Sequence, residues 1–243
     1  HCNAAEKAID DALYPKAIEC YKNALVVIVD NLDAIWGIAE CYASLGERDE
    51  AAGWYQRYLD IEPDEPEALH MLSAMGVTET PERASDGYVA TLFDRFAPDF
   101  DDQLTCELEY QVPGILAETA KDYSSSTEGD LDILDLGCGT GLCGVAVKDL
   151  AKRIDGVDLS GEMLKLARKR RVYKTLTKLE VVAYMDKTRR SYDLVLGADV
   201  FVYFGLLDEL FASVAAVLKP GGLAIFSLEA YQEAGFELTA SGR

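Results

Sequence analysis

Hydrophobic and polar positions follow two different patterns along the 243-residue chain. In the first third, apolar residues recur at the three- and four-residue spacing of amphipathic helices. The segments YPKAIECYKNALVV and RDEAAGWYQRYLDIEP align without a gap 34 residues apart, so that Ala17 and Tyr21 correspond to Ala51 and Tyr55. A helical pattern with this period predicts stacked helix pairs, each burying its apolar face on the next.

Beyond residue 130 the pattern changes to short apolar runs, LDILDL, RIDGVDL, YDLVLGAD and GGLAIFSL, separated by helix-like stretches. Strands that alternate with helices predict a parallel sheet covered on both faces. We place five strands, near residues 132–136, 154–158, 175–179, 192–198 and 222–228. The polar segments 77–86 and 124–130 are breakers between these regions. The chain thus divides into helical repeats at 1–80 and an α/β domain at 81–243, with a helical lead-in at 81–125 and a core at 130–243.

Charge and cysteine spacing exclude several kinds of partner. The net charge is −20, and residues 1–110 hold 24 acidic and 7 basic side chains, a surface that repels nucleic acid. No apolar run is long enough to predict a membrane span. With two histidines and no C-x-x-C pair, no metal site is expected. Scattered cysteines fit free thiols in a reducing cytoplasm.

The segment LDLGCGTGLCG, residues 134–144, is a glycine-rich sequence typical of cofactor-binding loops. Gly139, Gly141 and Gly144 spell G-x-G-x-x-G between a predicted strand and a predicted helix. Glycines there permit positive φ and close approach of a ligand to the backbone. The fingerprint alone fits both dinucleotides and nucleoside cofactors.

Asp135, two residues before Gly137, separates these two cofactor classes. A carboxylate there would repel the pyrophosphate of a dinucleotide, whereas it attracts the sulfonium and ammonium groups of S-adenosylmethionine. Asp158, 19 residues after Gly139, suits the ribose hydroxyls of either cofactor. The sequence therefore favours S-adenosylmethionine.

The set ILDLGCGTGLCG, GVDLSGEML, YDLVLGADVFVYF and LKPGGLAIFSLE, in this order and spacing, resembles class I S-adenosylmethionine-dependent methyltransferases. The 34-residue repeat resembles the tetratricopeptide repeat, and the whole chain is similar to bacterial methyltransferases that carry such repeats at the N-terminus. The resemblance implies an α/β Rossmann-like core after an all-α repeat domain. It also implies methyl transfer from S-adenosylmethionine, with S-adenosylhomocysteine as product, to a small molecule such as a carboxylic acid or to a protein, with the repeats docking a partner or the substrate.

The resemblance also assigns cofactor contacts. The glycine loop would wrap the methionine part, Asp158 would hold the ribose, and Leu159 and Met163 would lie near the adenine. Glu180 matches the acidic position that meets the adenine amino group, with Asp186 as a competing placement. The full set of expected cofactor residues is Asp135, Gly137, Cys138, Gly139, Thr140, Gly141, Asp158, Leu159, Met163, Glu180, Val181, Ala198 and Asp199.

Methyl transfer is expected where the fourth strand ends, at residues 198–200. The sulfonium is already activated, so alignment of the nucleophile matters most, and a base is needed only for an acceptor with a proton to lose. Both histidines precede residue 71, so Asp199 and Tyr203 are the candidate catalytic residues. Tyr88, Phe96 and Phe100 are lid candidates, although core packing explains Met163, Phe96 and Phe100 equally well.

Two other functions stay open at this point: a nicotinamide-dependent oxidoreductase using NAD(P), which Asp135 disfavours, and a non-catalytic scaffold that binds S-adenosylmethionine. The basic run KLARKRRVYK, residues 165–174, is either a solvated face or a docking patch for an acidic partner. Class I cores have seven strands, and we predict five. The C-terminal strands are therefore expected to be missing after GFELTASGR, which leaves the substrate half incomplete.

Overall fold

A computed structural model of the chain describes residues 13–104, 110–123 and 129–230, together with positions 5, 8, 9 and 238. The described residues leave out most of positions 1–12, at the start of the first repeat, and positions 124–128 of the second breaker. They also leave out nearly all of the segment GFELTASGR. Most of the described residues form two compact units, one up to Pro81 and one from Glu82 to Ala230.

The first unit consists of helices whose order follows the predicted repeat. They are α1 (Tyr14–Val27), α2 (Leu32–Ser44), α3 (Arg48–Leu59) and α4 (Pro66–Ala74), each packed on the next. Asn31 caps α2 through a bond from the Ala34 amide of 2.8 Å, and proline begins α4, where its missing N–H costs nothing.

The repeating aromatic and alanine positions form the core of this unit. Ala17, Tyr21, Ala51 and Tyr55 are all buried. Trp36 packs edge-on against Tyr55, with ring centroids 5.2 Å apart. The helical repeat predicted from the 34-residue period is confirmed.

The second unit opens with a helical lead-in, comprising α5 (Asp86–Phe96), a helical turn at Phe100–Asp102 and α6 (Val112–Tyr123). An alternating series follows: β1 (Leu131–Leu136), α7 (Leu142–Val147), β2 (Ala151–Asp158), α8 (Gly161–Arg170), β3 (Thr175–Lys178), α9 (Val181–Lys187), β4 (Tyr192–Gly197), α10 (Asp208–Val217) and β5 (Leu218–Phe226). The strands are all parallel, in the order β3-β2-β1-β4-β5. The predicted Rossmann-like α/β fold is confirmed.

Alternate side chains of β1 enter two apolar layers. Ile133 packs with residues of α6 and α7 on one face, whereas Leu134 and Leu136 pack with residues of α9 and α10 on the other. Strand order reverses between β1 and β4, which opens a crevice at the carboxyl ends of these strands. None of the described helices is long and apolar enough to cross a membrane.

The fifth strand begins four residues before its predicted start. Its pairing with β4 shifts register after Leu218, and it accommodates Pro220, Gly221 and Gly222 before pairing regularly from Leu223. Proline and a bulge fit here because β5 lies at the edge of the described sheet, where one row of amides needs no partner strand. Sequence reasoning placed the strand start by its apolar run and therefore missed this irregular part.

Candidate functional site

The glycine loop turns sharply at the carboxyl end of β1. Gly137, Gly139 and Gly141 have φ angles of 59°, 52° and 94°, so all three lie in the left-handed region that glycine adopts most easily. The Cys138 amide donates to the carbonyl of Val157, at 3.0 Å, which ties the loop to β2. The loop therefore has the positive φ angles expected from the sequence.

Asp158 joins this loop to the start of α8. Its Oδ2 accepts a hydrogen bond from the Gly139 amide and its Oδ1 accepts one from the Ser160 amide, both at 2.8 Å. Burial raises the pKa of Asp158, although these two hydrogen bonds favour the carboxylate. The Leu159 amide also donates to this carboxylate. Two carboxylate oxygens have about four lone-pair directions, so acceptor capacity remains for a ligand hydroxyl.

Asp135 lies beneath the loop, almost fully buried. Its Oδ2 accepts a hydrogen bond of 2.6 Å from the hydroxyl of Tyr173, and it also accepts one from the Gly144 amide. Burial raises the pKa of Asp135 to about 7, with the charge of Asp158 contributing in the same direction. Since a positive charge nearby favours the carboxylate, an entering cation would lower this pKa.

The end of β4 holds a third carboxylate in an unusual backbone conformation. Asp199 has a φ of 53°, which is uncommon for a residue other than glycine and often marks a functional position. Its amide donates to the Ser227 oxygen at 2.7 Å, and the Ser227 hydroxyl donates back to Oδ1 at 2.5 Å. Tyr110 also hydrogen-bonds Asp199, and burial raises the pKa of Tyr110 well above its usual value. The Asp199 carboxylate is therefore held from two sides.

Sequence reasoning missed Tyr110 and Ser227. Tyr110 lies in the lead-in, outside every motif, and only the fold brings it to the end of β4. Its interactions extend to Asp135 and Cys143, so it faces the same crevice as the glycine loop. Serine after an apolar strand has many ordinary roles, so Ser227 gave no signal either.

Tyr203 faces the lead-in. It is buried in an apolar cluster with Ala84 and Tyr88, and its ring packs edge-on against Phe93 with centroids 5.7 Å apart. Its carbonyl accepts a hydrogen bond of 2.8 Å from the Ala84 amide. The assignment of Tyr203 as a catalytic residue stays a prediction.

The three lid candidates have different surroundings. Tyr88 is a core residue of the apolar cluster, and Phe96 keeps 40% of its surface exposed. Phe100 pairs with the ring of Phe93 at 6.1 Å and comes within 4.0 Å of where a Cβ on Gly139 would lie. Of the three, Phe100 is therefore the one placed beside the glycine loop.

Two aspartates tie the lead-in to the loop and to α8. Asp94 accepts hydrogen bonds from the Ser160 hydroxyl, at 2.5 Å, and from the Glu162 amide, at 3.1 Å. Asp101 accepts one of 2.5 Å from the Thr140 hydroxyl and pairs with Arg170. Neither aspartate gave a sequence signal, because their partners lie 39 to 69 residues away in the chain.

Asp94→Asn should weaken the docking of the lead-in. Burial of Asp94 opposes its ionisation, but the hydrogen bonds from Ser160 and Glu162 outweigh this and hold its pKa below the usual value. A depressed pKa means that the stabilisation is present at neutral pH and is lost as pH falls through that pKa. We expect Asp94→Asn to lower the free energy of unfolding by about 1 kcal/mol at pH 7. Urea unfolding at pH 7 and pH 3 should show the difference shrinking; an equal difference at both values would contradict it.

The remaining predicted residues have mainly structural contacts. Met163 is fully buried and Val181 nearly so, whereas Leu159 and Ala198 are half-buried. Burial raises the pKa of the Cys138 thiol, which keeps it neutral. Glu180 follows the end of β3 by two residues and caps α9, accepting bonds from the Val182 and Ala183 amides.

Asp186, the competing placement for the adenine contact, lies inside α9 rather than at a strand end. Its Oδ1 accepts a hydrogen bond of 3.2 Å from the Ser213 hydroxyl on α10. In the described part of the chain, no group of three or more histidine, cysteine or acidic side chains could hold a metal ion.

The electrostatics of the crevice favour a cationic ligand. Asp135 is the last residue but one of β1, Asp158 is the last residue of β2, and Asp199 follows the end of β4 by two residues. Arg170, a basic side chain that reaches the loop, is paired with Asp101. A pyrophosphate would meet carboxylates here, whereas a sulfonium or an ammonium group would be stabilised.

Comparisons with known proteins agree with the architecture. Residues 133–222 match the family model described as a methyltransferase domain, and residues 6–75 match a tetratricopeptide-repeat model. The resemblance to class I S-adenosylmethionine-dependent methyltransferases with N-terminal repeats is thereby confirmed.

Two curated relatives that this chain matches are O-methyltransferases. The malonyl-[acyl-carrier protein] O-methyltransferase of Halalkalibacterium halodurans is 34% identical over 128 residues, which are 50% of this chain and 46% of the relative. The ubiquinone biosynthesis O-methyltransferase of Shewanella pealeana is 27% identical over 127 residues, 46% of this chain and 52% of the relative. The chain thus spans about half the length of the curated relatives it matches. A solved S-adenosylmethionine-dependent methyltransferase from Clostridium acetobutylicum superposes with a TM-score of 0.43 at 27% identity, covering 56% of each chain.

Proposed function

Because this chain carries a class I methyltransferase domain behind a tetratricopeptide-repeat region, we propose that it transfers a methyl group from S-adenosylmethionine to an oxygen atom of its acceptor. The observation that carries the proposal is the buried Asp135 beneath a glycine loop whose neighbouring strand ends supply two more carboxylates. This arrangement suits a cofactor that carries positive charge and no phosphate.

The cofactor would lie across the carboxyl ends of β1, β2 and β4. The loop from Gly137 to Gly141 would hold the methionine part, and Asp158 the ribose hydroxyls. Leu159, Met163, Val181 and Glu180 would surround the adenine. When bound, S-adenosylmethionine supplies a methyl group on a sulfonium, which is an activated leaving group.

At the end of β4 the chain would orient the acceptor. Asp199, held by Tyr110 and Ser227, would accept the proton of an acceptor hydroxyl, while a carboxylate acceptor has no proton to lose at neutral pH. Tyr203 and Phe93 would form an apolar wall beside it. The two curated relatives described above are both O-methyltransferases, which supports an oxygen acceptor.

The repeat region would bind a protein that carries or delivers the acceptor, since such repeats present grooves for peptides and helices. Val26, Val27, Ile28 and Val29, at the end of α1, are all more than half exposed and give this unit an apolar surface. The strongly acidic repeat region would favour a partner with basic character beside that surface.

Thermal unfolding with separate additions of S-adenosylmethionine, S-adenosylhomocysteine and NADH tests the cofactor. A ligand at about 100 times its Kd adds roughly 2.7 kcal/mol to the free energy of unfolding. For a chain of this size the Tm should rise by roughly 5–10 °C with either adenosyl compound and stay unchanged with NADH. A shift with NADH alone would overturn the proposal. Binding without methyl transfer to any oxygen acceptor would favour the non-catalytic scaffold.

A further inference from the structure

The Tyr173 side chain occupies a slot that three glycines leave open. A Cβ on Gly144 would lie 2.4 Å from the Tyr173 hydroxyl oxygen, and one on Gly156 would lie 3.0 Å from Cδ1. A Cβ on Gly141 would lie 3.0 Å from Cε2. Side chains at these positions would displace the ring. Two glycines of the G-x-G-x-x-G pattern therefore make room for a protein side chain in this chain.

The slot ends at the buried carboxylate of Asp135. The Tyr173 hydroxyl lies 2.6 Å from Oδ2, and burial raises the pKa of Tyr173 well above its usual value, so the hydroxyl keeps its proton and donates. Tyr173 comes from the segment between α8 and β3, 38 residues away from Asp135 in the chain. The ring is closely packed between the three glycines, and its hydroxyl has one polar contact among the described residues. This packing fixes the direction of the hydrogen bond to Asp135.

We propose that Tyr173 is a positioning residue for the cofactor: it acts through Asp135, holding the carboxylate beneath the glycine loop in the ionised form that binds a cation. The inference rests on the proposed function and adds to it a residue outside every motif of the resemblance. Tyr173 does not act on the reacting atoms.

The surroundings of Asp135 explain why this hydrogen bond matters. The titratable groups that face it, besides Tyr173, are Asp158 on β2, Cys138 in the loop, Cys143 on α7 and Tyr110 from the lead-in. None of these carries positive charge. Against burial, the Tyr173 hydroxyl and the Gly144 amide are the groups that favour the ionised carboxylate.

Tyr173→Phe removes the hydroxyl and keeps the ring in its slot. Without this hydrogen bond the pKa of Asp135 in the ligand-free protein should rise further above 7. Asp135 would then be protonated in a larger fraction of the molecules at neutral pH. A rise of about one pKa unit would raise the Kd for S-adenosylmethionine roughly fivefold at pH 7 and by less than about twofold at pH 9. Titration calorimetry from pH 6 to pH 9 measures this, and the ratio of variant to wild-type Kd cancels the titration of the ligand itself.

Tyr184→Phe is the matched control, because it also removes a partly buried tyrosine hydroxyl. That hydroxyl is hydrogen-bonded to the hydroxyl of Tyr192, at 3.0 Å, and not to Asp135. The Kd ratio of this variant should stay near one at every pH. Tyr173→Met, which also lacks the hydroxyl, serves if the first variant does not fold. Asp135→Asn should abolish the pH dependence, and adding Tyr173→Phe to it should produce no further dependence.

The outcomes separate the two proposals. A Kd ratio that falls as pH rises supports the positioning role. A ratio that is constant across pH, whether one or larger, overturns it and leaves Tyr173 a packing residue, while the proposed function stands. If the wild-type protein binds neither S-adenosylmethionine nor S-adenosylhomocysteine, the proposed function fails and this inference fails with it.

Discussion

Gly137→Ala should destabilise the α/β unit by roughly 2–5 kcal/mol, the sum of a backbone and a packing cost. The φ of Gly137 is 59°, which costs an alanine about 1–2 kcal/mol because its Cβ approaches the following carbonyl. The added Cβ would also lie 2.2 Å from Cγ2 of Val200, at the end of β4. Neither group can move easily, because the loop is bonded to β2 and Val200 packs in the apolar layer.

Gly139→Ala is the matched control, since its φ is 52° but the nearest atom to its Cβ would be 4.0 Å away, on Phe100. Gly139→Ala should lower the free energy of unfolding by the backbone cost alone, roughly 1–2 kcal/mol. Urea unfolding followed by circular dichroism measures both. Tryptophan fluorescence would mislead, because Trp36 and Trp54 both lie in the repeat unit. Equal losses in the two variants would show that Val200 yields without cost.

The contrast between these glycines illustrates what the sequence could predict. The fold could be predicted because most elements carry their own pattern: short apolar runs separated by helix-like stretches predicted the strands, and the 34-residue period predicted the helical repeat. The positive φ angles of the loop also follow from local rules. Which glycine touches Val200 and which faces Phe100 depends on the packing of distant segments, so no local pattern shows it.

The same reasoning explains the candidate site. Asp135, Asp158 and Asp199 could be predicted because parallel strands bring their carboxyl ends to one edge of the sheet, and residues at or just beyond those ends lie at that edge. Tyr110, Asp94, Asp101 and Tyr173 were missed because they reach the edge from helices and connecting segments. The contacts of Asp94, Asp101 and Tyr173 span 38 to 69 residues of sequence, and that of Tyr110 with Asp199 spans 89. None of them has a fixed spacing.

The three carboxylates differ in how the chain already engages them. Asp135 is buried, and its pKa is raised to about 7. Asp199 is exposed, and its carboxylate accepts hydrogen bonds from Tyr110 and Ser227. Asp158 alone connects the glycine loop with α8 through two backbone amides. Loss of the Asp158 side chain should therefore have two effects on cofactor binding. It removes the hydrogen bonds proposed to the ribose, and it loosens the glycine loop.

Asp158→Ala should raise the Kd for both S-adenosylmethionine and S-adenosylhomocysteine by roughly 100-fold or more, because hydrogen bonds to a charged group contribute about 1.5–3 kcal/mol each. Both ligands carry the ribose, so both should lose affinity equally, unlike Tyr173→Phe, whose effect depends on pH. The variant also leaves the Gly139 and Ser160 amides without their acceptor, which loosens the loop. Titration calorimetry with each ligand measures the loss.

Asp132→Asn provides the control for this experiment. Asp132 is also an acidic strand residue, but it pairs with Lys219 at 2.7 Å near the start of β1, away from the strand ends that carry the glycine loop. It should leave both Kd values within about twofold, because a partly exposed ion pair contributes at most about 1 kcal/mol to stability and none to the ligand. If Asp158→Ala also stays within that range while remaining folded, the ribose does not lie at the end of β2, and the crevice must bind the cofactor in another orientation.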